Sequence, residues 1–152
     1  MRLIKPSFEI KEQESGLSGI YKQIEWAGRH CYKSLDKITE DSAKEFVDRM
    51  IKSGHGAMLE HGTVYLLIHD DDYTEQHVKE YMENSFTKVK DGNNGWWYIT
   101  TNLRVLVEND WLEDLQYISE PTEYHEKRHT VKFTCDRGVS HEFVRHKILC
   151  VA

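Results

Sequence analysis

The sequence predicts a single α/β domain over residues 1–152, of the α+β kind, with a mixed or antiparallel central sheet flanked by helices. Three observations carry that expectation. Apolar residues recur at three- and four-residue steps in several long segments, the signature of helices with one buried stripe. A β-branched run from Gly62 to Ile68 and a strictly alternating run from Thr130 to Cys135 read as strands. A chain of this length can bury roughly two-thirds of its unfolded surface, enough for one core.

Leu3 to Ile10 opens as a strand, at an edge because Pro6 cannot donate to a ladder. Leu17, Ile20, Tyr21, Ile24, Ala27 and Cys31 then mark a helix from about Ser18 to Tyr32. A second helix is signalled by Thr39 or Asp41 as cap and by Ala43, Phe46, Val47, Met50 and Ile51 on one face; Gly54 ends it. Gly62 to Ile68 is apolar at successive positions and is placed as a central strand. Thr74 to Asn84 reads as a third helix, and Lys88 to Gly95 as a loop and hinge by composition. Trp96 to Thr101 reads as a short strand. Asn102 then caps a helix striped by Leu103, Leu106, Val107, Trp111, Leu112 and Leu115. After the alternating strand, Asp136 or Ser140 caps a last helix that docks through Val139, Phe143 and Val144.

Composition narrows the function. Twenty basic against 26 acidic residues leave a net charge of −6, which argues against broad nucleic-acid binding and confines any phosphate ligand to a local pocket. The longest apolar run, Val64 to Ile68, is too short to cross a bilayer, and the first residues lack the features of a secretory signal. The expectation is a cytoplasmic protein without a membrane partner. Cys31, Cys135 and Cys150 are odd in number and widely spaced, so reduced thiols are expected.

Three constellations could carry chemistry. His125-Glu126-Lys127-Arg128-His129 matches the H-E-x-x-H pattern of zinc hydrolases. That motif needs a helix, whereas here it lies between Pro121 and a strand, with two cations between the ligands, so no metal site is expected. Gly54-His55-Gly56-Ala57-Met58-Leu59-Glu60-His61-Gly62 sits where a helix gives way to a strand, a common place for ligands. His55 there suits a ligand contact or a helix C-terminal cap, and Glu60 with His61 suits a ligand contact or a supporting pair. Arg145-His146-Lys147 ends the last helix, where these residues suit phosphate or carbonyl recognition, or capping of helix carbonyls.

Taken together, Gly54-His55, Leu59-Glu60-His61 and the run Arg137-Gly138-Val139-Ser140-His141-Glu142-Phe143-Val144-Arg145-His146-Lys147 resemble the flavin-dependent thymidylate synthases, the ThyX family. Ala27-Gly28-Arg29-His30-Cys31-Tyr32-Lys33-Ser34 and Ile118-Ser119-Glu120-Pro121-Thr122-Glu123-Tyr124-His125-Glu126-Lys127-Arg128 extend the likeness over nearly the whole chain. The resemblance implies a homotetramer of α/β subunits that binds FAD between subunits and reduces it with NADPH. It implies transfer of a methylene group from methylenetetrahydrofolate to dUMP, giving dTMP, without a protein nucleophile. By position, His55, Glu60, Arg145, His146 and Lys147 would contact FAD, and Glu142 and Arg145 would lie near dUMP. No residue is assigned a catalytic role.

The chain departs from the family pattern at several places. Lys147 stands where the signature has its second arginine, Ala57 replaces a hydroxyl residue, and Cys150 occupies a serine position. The E-x-S-x-R-Y part of the signature does not follow, because the sequence stops at Ala152. The expectation is therefore an incomplete site with little turnover by this chain alone, with three sources open: a truncated or decayed gene product, an N-terminal fragment, or one part of a split enzyme completed by a second chain. The competing expectation is a non-catalytic oligomerisation or interaction module on the same scaffold.

Overall fold

A computed structural model describes residues 5–71 and 75–143. The described chain runs β1 (Ser7–Lys11), α1 (Gly16–Cys31), α2 (Ser42–Lys52), α3 (Gly56–Leu59), β2 (Thr63–His69), α4 (Glu75–Glu83), β3 (Lys88–Asp91), β4 (Trp96–Asn102), α5 (Leu103–Glu108), β5 (Thr130–Thr134) and α6 (Arg137–Phe143). Short 3-10 helices cover Leu35–Lys37 and Leu112–Tyr117. Helices combine with two antiparallel sheets, β1-β5 and β2-β4-β3, so the fold is α+β with antiparallel strands.

The core forms where the helical stripes meet one face of the three-stranded sheet. Ile20 and Ile24 from α1, Phe46, Val47 and Met50 from α2, and Leu103 and Leu106 from α5 pack with Val64, Leu66, Ile68 and Ile99. Along β2 the burial alternates: Val64, Leu66 and Ile68 point inward while Tyr65, Leu67 and His69 are only partly covered. β2 is therefore an outer strand of its sheet, with β4 in the middle, and not the doubly buried central strand expected. A strap over 118–128 crosses its free edge. Ile118 bridges Leu66, the Ser119 amide donates to the Tyr65 carbonyl at 2.9 Å, and His125 Nε2 donates to the Leu66 carbonyl at 3.0 Å. The strap satisfies edge groups that would otherwise be left unpaired.

Other elements also differ from the sequence expectation. Lys88–Asp91 is a strand of a hairpin, not a loop: it pairs Lys88 with Thr100 through Asp91 with Trp97, and the Gly92 amide closes onto the Trp96 carbonyl at 3.0 Å. The stripe that suggested one helix after Asn102 is broken at Asp110, whose φ of 60° is left-handed, and resumes as a 3-10 helix. Asn102 does cap α5, its side chain accepting from the Val105 amide at 3.1 Å. Asp41 takes the cap position of α2 without a side-chain bond. Asp136 starts α6, Oδ1 accepting from the amides of Gly138 and Val139 at 2.8 and 3.1 Å. Of the three residues expected to dock α6 on the core, Val139 is exposed, while the Phe143 side chain and Val144 lie outside the described residues.

The β1-β5 ribbon is amphipathic. Phe8 faces Phe133 and Ile10 faces Val131, so four apolar side chains share one face. Phe8, Ile10 and Phe133 are 69%, 55% and 50% exposed, against the fully enclosed Val64, Leu66 and Ile68 of β2.

Candidate functional site

Two segments far apart in sequence, 27–34 and 54–62, meet in space. Each leaves a helix through the same left-handed C-terminal motif. At the end of α1, Lys33 has φ 50°, its amide donates to the His30 carbonyl at 3.3 Å, and the Ser34 amide donates to the Arg29 carbonyl at 2.9 Å. At the end of α2, Gly54 has φ +71°, its amide donates to the Ile51 carbonyl at 3.1 Å, and the His55 amide donates to that of Met50 at 3.0 Å. These paired bonds satisfy terminal carbonyls and fix the direction in which each chain leaves its helix. The expectation that His55 caps a helix C-terminus is met by its backbone, so the imidazole is not consumed by capping.

The ring of His55 meets Tyr32: the phenol oxygen lies 3.2 Å from Nδ1. Both residues are exposed. Beneath them the helices approach closely, since a Cβ added to Gly28 would lie 2.5 Å from Cζ of Phe46 and 3.6 Å from the Met58 sulfur. The Arg29 guanidinium stacks 5.0 Å above the Phe46 ring and donates through Nε and Nη2 to Glu25 Oε1, at 3.1 and 3.0 Å. Ser42 Oγ donates to the other Glu25 oxygen at 2.8 Å. Both oxygens of the buried Glu25 carboxylate are thus engaged, and it fastens α1 to α2 below the turn.

Glu60 follows α3 and pairs with Arg104 of α5, whose Nε also donates to Glu108 at 2.6 Å. Both carboxylates hold the guanidinium firmly protonated. Arg104 lines the turn closely enough that a Cβ on Gly56 would lie 3.0 Å from its Nε. One Glu60 oxygen is therefore engaged in an inter-element ion pair with Arg104, a supporting partner that the sequence did not suggest beside His61. Burial pushes the His61 imidazole below the ordinary histidine range, partly offset by the Glu60 carboxylate beside it.

Glu142 lies in α6 and is exposed, on a helix that follows the β1-β5 ribbon. Arg145, His146, Lys147 and Cys150 lie outside the described residues. Sequence reasoning missed Tyr32 and Arg104 as members of the site. Tyr32 enters the family likeness only as one letter of a string, and Arg104 looks like one more polar residue on an amphipathic helix. Cys31 is an exposed free thiol and Cys135 a partly covered one.

The H-E-x-x-H segment is not helical. His125 is buried, donates from Nε2 to the Leu66 carbonyl and accepts at Nδ1 from the Thr122 amide at 3.1 Å, so both ring nitrogens are occupied. Burial also depresses its basicity. Its role is to hold the strap on β2. Among the described residues no group of three or more His, Cys, Asp or Glu side chains is arranged to hold a metal, and no helix is long and apolar enough to cross a membrane.

Comparison with known proteins gives a partial likeness. A flavin-dependent thymidylate synthase of Corynebacterium aurimucosum is 37% identical over 59 residues. The match takes in 38% of this chain and 24% of that protein, so the chain aligns with about a quarter of its relative's length. No protein-family model matches the chain, and no solved structure does.

Proposed function

We propose that this chain is a flavin-dependent thymidylate synthase-like protein in which the His55 turn forms part of an FAD-binding surface. The observation that carries the reading is the contact between Tyr32 and His55, which joins the two N-terminal segments whose sequences resemble the family. The donor set suits a flavin. An exposed imidazole and phenol in contact offer adjacent aromatic and hydrogen-bonding groups, and donors beside a flavin ring favour its reduced, anionic form. His55 supplies the contact nearest the ring in this proposal, Arg104 braces the turn through Glu60, and Arg145, His146 and Lys147 are assigned to the same cofactor. Glu142 and Arg145 are assigned to dUMP.

When bound, the flavin would supply the redox chemistry of converting a transferred methylene into a methyl group, with NADPH as reductant and methylenetetrahydrofolate as donor. The chain's own residues bind and orient. A tetramer of like subunits, or a second chain, completes the pocket in this reading, and the protein works in the cytoplasm. The test is retention of flavin. Protein incubated with FAD and passed through gel filtration should elute yellow, with the flavin absorbance co-migrating; a colourless protein peak that leaves all FAD in the small-molecule fraction would remove the cofactor from the account.

A second reading is favoured by the apolar face of the β1-β5 ribbon, on which Phe8, Ile10 and Phe133 are exposed. An isolated two-stranded ribbon is marginal in water, and a large apolar face on it favours a protein partner. In that reading the scaffold serves as a non-catalytic oligomerisation module. Light scattering distinguishes the two: an oligomer that forms without flavin and survives Arg145→Ala supports the module.

A further inference from the structure

We propose that Tyr32 is the positioning residue of the His55 turn, donating its phenol proton to His55 Nδ1 so that the N–H at Nε2 is presented outward to the ligand. The inference rests on the reading of this turn as a flavin-binding surface, but its core, the direction of one hydrogen bond, can be tested without flavin. The 3.2 Å contact fixes the pair of atoms. Chemistry fixes the direction: a phenol is the stronger proton donor and a neutral imidazole nitrogen the stronger acceptor, so Tyr32 donates. A neutral imidazole carries one proton, which then resides on Nε2. Among the described residues no other side chain is in hydrogen-bonding contact with the His55 ring, so Nε2 is left to serve as a donor.

Both partners are held by backbone rather than by their own packing. Tyr32 closes α1, its amide donating to the Gly28 carbonyl at 2.9 Å, and the left-handed Lys33 turns the chain away immediately after it. His55 is tied by its amide to Met50 and stands at the entrance to α3. Two helix ends thus bring two exposed side chains together, and the backbone bonds that fix both helix ends reduce the entropy that pairing them costs. A donor at Nε2 suits acceptor atoms of a flavin ring or a pyrimidine carbonyl, whereas a bare Nε2 lone pair would repel them.

The experiment uses the intact chain at a pH above the ordinary histidine value. Long-range proton–nitrogen spectra, with His55 assigned by its loss in His55→Gln, should show Nδ1 unprotonated and hydrogen-bonded and Nε2 protonated. Tyr32→Phe should shift the Nδ1 resonance toward that of a solvated ring. A proton on Nδ1, or a His55 spectrum unmoved by Tyr32→Phe, would overturn the proposal. FAD titrations form the second arm. Tyr32→Phe should weaken binding about fivefold, as expected for one lost hydrogen bond, and have no further effect in a His55→Ala background, whereas a structural role would add in both. If the spectra behave as stated and neither variant alters FAD binding, the positioning stands and the flavin reading falls. Should His55→Ala weaken FAD binding while Tyr32→Phe leaves the spectra unmoved, the reverse holds.

Discussion

Replacing Asp114 by asparagine should flatten the pH dependence of stability between about pH 4 and 6, because this carboxyl is held far from the ordinary carboxylate range. Asp114 is 4% exposed, at the start of the 3-10 helix Leu112–Tyr117. Its Oδ2 accepts from Tyr81 at 2.5 Å and lies 3.0 Å from His77 Nε2 of α4, while His77 Nδ1 lies 3.1 Å from Glu80. Burial pushes its pKa up from 3.8 to about 6. A folded-state value above the unfolded one means that the native protein binds the extra proton. The associated stability is fully present below about pH 4 and is lost as pH rises through about 6. The gap corresponds to at most about 3 kcal/mol at about 1.36 kcal/mol per unit. The replacement amide keeps an acceptor for Tyr81 and offers a donor to His77, but does not titrate. Urea midpoints across about pH 4 to 7.5 should therefore show the variant equal to or more stable than wild type near pH 7, by about 1–2 kcal/mol after relaxation, with the advantage gone near pH 4. Parallel curves for the two proteins, or a variant weaker by the same amount at every pH, would refute the reasoning.

Further outcomes follow from the joint beneath the His55 turn and from the ribbon. Glu25→Ala should cost about 3–5 kcal/mol by urea denaturation, since it strands the Arg29 guanidinium without its partner in a covered site. Gly28→Ala should cost about 1–3 kcal/mol, because the new methyl meets the Phe46 ring edge at 2.5 Å and α1 must shift from α2; an unchanged midpoint would show that the contact yields freely. Phe133→Ser should cost about 0.2–1 kcal/mol by urea denaturation, the worth of its cross-strand pairing with Phe8, while lowering the mass seen by light scattering if the ribbon face is an interface.

Much of the fold was legible because burial imposes periodicity. Ile20, Ile24 and Ala27, then Phe46, Val47 and Met50, announce α1 and α2, and Asn102 and Asp136 announce the starts of α5 and α6. The misses have physical causes. Lys33 and Asp110 adopt the left-handed conformation that sequence assigns to glycine, so the break after α5 carried no signal, whereas Gly54 was plain. Lys88–Asp91 holds one apolar residue in four and gains its strand character from pairing with β4. At the site, the histidine turn stood out by its glycines. Its partners Tyr32 and Arg104 did not, because their roles depend on which helix ends meet. Glu60 was read as a ligand contact or a supporting partner; its carboxylate is engaged by Arg104, a pairing across 44 positions that no local pattern records.

Whether the Tyr32-His55 edge faces a flavin is the question on which the proposed function turns. Fluorescence titration of FAD with the intact protein and with His55→Ala asks it directly. Saturable quenching that weakens about tenfold or more on removing the imidazole is the predicted result. Quenching identical in the two proteins, or none with either up to high micromolar concentrations, would contradict it.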